Sequence, residues 1–464
     1  MQNFKLKKVS RWLAVCALAA MPALAFSQTY TFEQAVQAAL QNNPQMEVSS
    51  ARIQQAQAAL SKAQASNMPQ INLSMTGSYS NNPLNVFGMK LQQGEATFAD
   101  FGFAQFDQTN PNILNVAPND LNSPDARSDI NTRIEMLIPI WNGGKIQSFE
   151  EQASAMIKAA QQGDKATQQF LTFNIYQSYE AVHAARAFIK VAEQAKKTAD
   201  EFVRTTQNLM EQGVVVKSEL LSAKVNQSEA EVAMMQAQTQ EQIALDALRV
   251  LMNVAPDEPI DVSERLNLSF NVASMNEALN IAVSQNPMLE AKRREANSAA
   301  FAVNAVRADE KPSFNMMVRQ DFNDEGLGFG ASSYTIAGVA AWKVTDFGVT
   351  KSSIDMANAS AAEKRASVRS EESKTRLEVL NAWRKLEVAK KQVDANKLAV
   401  EQAEEAQELI VKRYENGVST FTEVLASQTR LDKARANLVS AEFEVNLQKA
   451  RLRLSLGSMD IAQI

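Results

Sequence analysis

Few residues in this chain could do bond-making chemistry, and none stands in an arrangement that would. His183 is the only histidine and Cys16 the only cysteine among 464 residues. His183 lies in a helix-forming stretch with no second base or metal ligand near it in sequence, so it reads as a plain helical histidine. No Gly-rich phosphate loop or nucleophile elbow occurs. Catalysis is therefore not expected, nor is any cofactor. The many Asp and Glu residues lie at helix-surface spacings, where solvation is the default. Glu219 follows Gly213-Val214, and Glu423 follows Gly417-Val418 at the same distance. Thr420-Phe421-Thr422-Glu423 has the spacing of a capping box that would open a helix. The first turn has Val216 where Thr420 sits, which leaves Ser218 as the alternative cap.

The elements that hold these turns are long helices, given twice. Lys351 to Asn416 and Val418 to Leu456 contain neither Gly nor Pro; Lys145 to Gln212 has only Gly163, and Val214 to Met252 has none. At 1.5 Å per residue the longer arm of each hairpin reaches roughly 100 Å if continuous. Leu377, Leu380, Trp383 (or Leu386) and Val388 recur at three- and four-residue steps, as a coiled-coil seam does. Gly213 and Gly417 suit the left-handed residue that closes a helix.

The chain repeats itself. Ala35, Asn43, Pro44 and Pro69 match Ala278, Asn286, Pro287 and Pro312 at an offset of 243. Further on, Asn142-Gly143-Gly144 faces Asp346-Phe347-Gly348, and Gly213 and Glu219 face Gly417 and Glu423, at an offset of 204. The first copy therefore carries a 39-residue insertion between Pro69 and Asn142. A first repeat over 28–255, a linker over 256–273 and a second repeat over 274–464 follow.

Each copy also carries two alternating strands of about 10 residues, a length that suits a tilted membrane-spanning strand. They are placed at 70–80 and 128–140 in the first half, joined by a long loop over 81–127. In the second they are placed at 313–323 and 333–345, joined by the short Asn323-Asp324-Glu325-Gly326-Leu327-Gly328. Tyr79, Trp141, Tyr334 and Trp342 fall near strand ends, where an interfacial aromatic belt would put them. Four strands per chain cannot close in lipid without leaving two open edges, so strands must be pooled across chains: two chains give 8 and three give 12.

The first 27 residues read as a secretory signal of the Sec route. Lys5, Lys7, Lys8 and Arg11 precede the apolar Trp12 to Ala20, and small residues follow, with cleavage expected after Ala25 or Ser27. A lipid anchor at Cys16 is not expected, because the apolar core before it would be too short and Val15 is bulky. Removing the leader takes the net charge from −5 to about −9, which gives no support to nucleic-acid binding. The 18 methionines are scattered, unlike the clusters a metal duct would want.

Helix, strand, loop, strand, Pro139-Ile140-Trp141-Asn142-Gly143-Gly144 and long hairpin, given twice, resemble the TolC-like outer-membrane efflux proteins. So does Arg413-Tyr414-Glu415-Asn416-Gly417-Val418 followed by Thr422-Glu423-Val424-Leu425. The resemblance covers essentially the whole chain after the leader. It implies an α+β membrane protein, a homotrimer whose 12-stranded barrel sits in outer-membrane lipid and continues into a periplasmic helical tunnel. It also implies a periplasmic adaptor protein and an inner-membrane transporter as partners, with no nucleic acid. Gly213, Val214, Gly417 and Val418 become candidate adaptor contacts, and Glu423 and Glu219 candidate gate residues. Ser419 and Ala426 stand where the family can have a basic and a second acidic residue, which removes the ion-pair lock from the expectation. Efflux of small solutes and type I protein secretion both fit the family. A surface coiled-coil stalk is the rival from another class, but it leaves the paired strands unexplained.

Overall fold

The fold is that of a computed structural model. The structure describes residues 28–461; the leader expected over 1–27, with Cys16, lies outside them. In the first half the elements are β1 (Gln28–Tyr30), α1 (Phe32–Asn42), α2 (Pro44–Ala65), β2 (Gln70–Ser80), α3 (Pro83–Gln92), the one-turn α4 (Asn119–Asn122), β3 (Arg127–Trp141), α5 (Lys145–Glu211) and α6 (Lys217–Met252). The second half runs β4 (Ile260–Val262), α7 (Met275–Gln285), α8 (Pro287–Arg307), β5 (Ser313–Asp324), β6 (Ala331–Ala341), α9 (Val349–Glu415) and α10 (Phe421–Leu456). Helices α5 and α9 are both 67 residues long, and α6 and α10 are both 36. No described helix is long and apolar enough to cross a membrane.

One compact unit comprises residues 49–163 and 287–373. Its sheet is antiparallel throughout, in the order β2-β3-β5-β6. Period-two alternation gives it two unlike faces. Asn131 pairs with Asn323, Arg133 with Asp321 and Glu135 with Arg319, and Asn72, Ser74 and Thr76 of β2 join them on the same side. Arg133 Nε donates to Asp321 Oδ1 at 2.8 Å, and Arg319 reaches the other carboxylate oxygen at 2.8 Å. The opposite face carries Ile71, Leu73, Met75, Ile134, Met316, Val318 and Ile336, of which Leu73 is 72% exposed.

Proline sets two boundaries. Pro139 has no N–H for the ladder, and the β3–β5 register shifts between Pro139 and Trp141. Pro312 precedes Ser313, so β5 offers no donor beyond it and β6 stops at its partner Ala341. The strand expected over 333–345 is thereby shortened at its far end, and Trp342 and Val344 lie beyond it. The region expected as plain loop over 81–127 holds α3, α4 and short 3-10 turns at Phe98–Phe101, Phe103–Gln105 and Ile113–Asn115.

Among the described residues the other unit comprises 28–48, 164–286 and 374–461. Its main core packs Phe32, Val36 and Ala39 of α1 on Leu171, Ile175, Tyr176 and Tyr179 of α5 and on Leu248 and Met252 of α6. The Phe32 ring meets Tyr176 and Tyr179 edge-on at 5.8 and 5.9 Å. A second core joins Ala278 and Ala282 of α7 to Val379, Ala382 and Leu386 of α9 and to Leu452 and Leu456 of α10. The parallel pair β1–β4 was not expected; β4 falls within the presumed linker and three residues are too few to show a period.

The repeated Asn-Pro has a structural purpose. Asn43 Nδ2 donates to Leu251 O near the end of α6 at 2.8 Å, and Asn286 Nδ2 donates to Ser455 O near the end of α10 at 3.1 Å. Asn43 Oδ1 also accepts from Gln45 N at 2.9 Å, which caps α2 as Pro44 opens it.

Candidate functional site: the hairpin turns and the strand ends

Both hairpins close with the same backbone device. Gly213 and Gly417 have φ of +75° and +71°. Val214 N donates to Leu209 O at 2.9 Å, and Val418 N to Arg413 O at 2.9 Å. These are the 6→1 bonds of a Schellman motif, which satisfy carbonyls the helix end would leave free. The residue after the glycine usually packs back on the helix. Here Val214 and Val418 stay 65% and 67% exposed, so each tip presents an apolar side chain outward.

The return helices start differently. Thr420 Oγ1 accepts from Glu423 N at 3.3 Å and caps α10. The box is only half formed, because the Glu423 carboxylate takes the Ser419 hydroxyl instead of the Thr420 N–H. At the first turn Val216 is the N-cap and supplies no side-chain bond; Ser218, expected as a substitute cap, lies inside α6. Glu423 is exposed whereas Glu219 is half-buried.

Beneath the turns sits a cluster that the sequence did not single out. Phe421, Val424 and Ala223 are buried, with Phe202, Val203, Ile410 and Tyr414 packed on them. Phe421 meets Phe202 edge-on at 5.9 Å and Tyr414 at 5.8 Å. Tyr414 Oη, Thr206 Oγ1 and Glu219 Oε2 are shut from solvent with no well-formed hydrogen bond among the described residues. Burial pushes the Tyr414 phenol up, the Thr206 hydroxyl opposes this, and the Glu219 carboxylate raises it further. The only hint in the sequence was the mismatch across the offset, where Tyr414 faces Met210 and Phe421 faces Lys217.

The four candidate aromatics lie at opposite ends of the strands. Tyr79 and Tyr334, 76% and 77% exposed, stand on the apolar face near the loops. Trp141 and Trp342 stand at the helix end; Trp141 pairs with Phe314 at 5.9 Å, and Trp342 Nε1 donates to Glu310 O at 3.1 Å. From Tyr334 in β6 to Trp342 just past its end is eight residues, about 26 Å of extended backbone.

His183 sits beside Tyr179 at 5.3 Å, and burial lowers its pKa. Its neighbour Glu180 is wholly buried, held by Arg265 at 2.9 Å and by Asn446 at 3.1 Å. These contacts tie α5, α10 and the segment after β4 together; they present no acid–base pair to a cavity.

Comparison with known proteins places this arrangement. The outer membrane efflux protein BepC of Brucella suis is 21% identical over 395 residues, covering 83% of this chain and 85% of that protein. The structure of VceC from Vibrio cholerae superposes with a TM-score of 0.75 at 17% identity, over 92% of this chain and 96% of that one. The outer membrane channel CmeC of Campylobacter jejuni gives 0.75 at 16%, over 92% and 85%. The description of the outer membrane efflux protein family matches residues 35–254 and 278–458, nearly all of both halves. A two-faced sheet joined to paired long hairpins, with that match along the chain, shows that the protein belongs to the outer membrane efflux protein family.

Proposed function

We propose that this chain is one subunit of an outer-membrane exit duct, working with an inner-membrane transporter and a periplasmic adaptor. The observation that carries the reading is the sheet: four strands, one face polar and carrying Arg133 and Arg319 on Asp321, the other a largely apolar face, and two edges with no partner among the described residues. In hydrocarbon such edges must be paired. Three chains pooling their strands make a 12-stranded barrel, with Arg133, Asp321, Arg319 and Glu135 inside and Ile71, Leu73 and Met75 against lipid. Tyr79 and Tyr334 then form one interfacial belt and Trp141 and Trp342 the other.

The hairpins stand in the periplasm, and the exposed Val214 and Val418 beside Gly213 and Gly417 are the surfaces an adaptor grips. Glu423, exposed at the turn, lines the narrow end, where three copies attract cations and repel one another. Glu219 is half-buried under Tyr414 and serves the same gate from within the wall. The leader over residues 1–27 directs Sec export.

Reconstitution in planar bilayers tests the proposal. Purified protein giving stable single-channel steps, together with membrane fractionation to the outer membrane, supports it. A protein released with the soluble periplasm and giving no channels refutes it.

A further inference from the structure

The two loops that join strand pairs bend toward opposite faces of the sheet. The β5–β6 turn leans over the apolar face: a Cβ on Gly328 would lie 2.8 Å from Thr132 Oγ1 and 3.0 Å from Ile130 Cγ2, and Phe329 rests on Phe322 at 6.2 Å. The longer β2–β3 segment goes the other way. Gln93, just after α3 and 7% exposed, donates to Asp129 Oδ1 and to Ser128 O, both at 2.9 Å, and accepts from Arg127 Nε at 2.7 Å. Asn323 Nδ2 donates to the same Asp129 carboxylate at 3.0 Å. A Cβ on Gly94 would lie 3.6 Å from that of Ala331, the strand partner of Asn323. Asp129, Asn323 and Ala331 all belong to the polar face, so α3 is pinned there. Val86 and Met89 are buried beneath it. Arg127 adds ion pairs to Glu95 and to Glu325.

We propose that α3 is a fixed constriction in the mouth of the duct and sets the largest solute that leaves it. The inference rests on the barrel reading above, in which the polar face lines the lumen. Eight-stranded barrels hold only side chains and 16- to 18-stranded ones an open channel. A 12-stranded barrel lies between, and one helix about 10 Å across from each chain takes a large share of its width. The free side of α3 presents Leu84 and Leu91, 79% and 52% exposed and seven residues apart on one face. Three copies make an apolar collar that resists hydration.

Two variants test this in planar bilayers and in liposomes loaded with graded neutral polymers. In the first, a short Gly-Ser linker replaces residues 83–122. In the second, Leu84→Asn and Leu91→Asn are combined on the intact chain; both sites are exposed, so folding is not at stake. The linker variant is expected to admit larger polymers and conduct at least about twice as well, and the Asn pair to conduct better with an unchanged polymer limit. The Asn pair alone decides the collar if the linker variant yields no oligomer. Parent-like conductance in the Asn pair, or a parent-like polymer limit in a folded linker variant, overturns the proposal while leaving the duct intact. A parent that gives no channels removes the duct and the constriction together.

Discussion

The two hairpin turns share one backbone and divide the side-chain work. Each has a left-handed glycine, a 6→1 hydrogen bond and an exposed valine. Around the second, Thr420 caps the helix, while Phe421 and Tyr414 build the cluster that joins both hairpins. Around the first, Val216 caps nothing, and Thr206 and Glu219 place polar groups against that cluster. Duplicated sequence has kept the fold of the turn where geometry demands it and let the chemistry diverge where it does not.

Substitutions can break that division, and the largest effect belongs to the aromatic joint. Phe421→Ala is expected to cost about 3–5 kcal/mol in denaturant unfolding of the solubilised protein. The matching Lys217→Ala, at an exposed site, stays within about 0.5 kcal/mol. Equal losses at the two positions would end the claim that the joint is one-sided. Next come the caps: Thr420→Ala destabilises by about 1 kcal/mol, and Val216→Thr stabilises by a similar amount. A Val216→Thr variant no more stable than its parent would mean that the first turn is satisfied by other means.

Asp432, on the second hairpin alone, adds a pH dependence. Burial raises its carboxyl against the opposing Gln428 hydrogen bond and Arg435. A raised acid favours the fold below its unfolded pKa, and that contribution is lost as pH rises through the folded value. Asp432→Asn should therefore raise the melting temperature at pH 7, with the gain fading toward pH 4; Ser228, its counterpart, should show no such slope. The smallest effect on stability and the clearest on transport is Glu423→Gln, which should alter conductance or block by divalent cations. An unaltered single-channel record would remove Glu423 from the pore.

Much of the fold was legible because its signals are periodic. Long runs without Gly or Pro announced α5, α6, α9 and α10, and alternation announced β2, β3 and β5 to within a residue or two. The alternation overruns β6 because Trp342 and Val344 continue it after the partner strand has run out at Pro312. α3 was missed because its burial depends on Gln93 meeting Asp129, 36 residues away. At the turns, glycine positions were readable from the offset. The Tyr414, Thr206 and Glu219 cluster was not, since it forms from residues on different helices with no shared spacing.

The paired asparagines carry a consequence for how such a chain can be cut and joined. Asn43 grips the end of α6, and Asn286 grips the end of α10. Each clasp thus begins and ends within its own half, and neither reaches across residues 256–273. A nick in that connecting stretch would sever no clasp, and a half-length chain ending near residue 255 would keep its own.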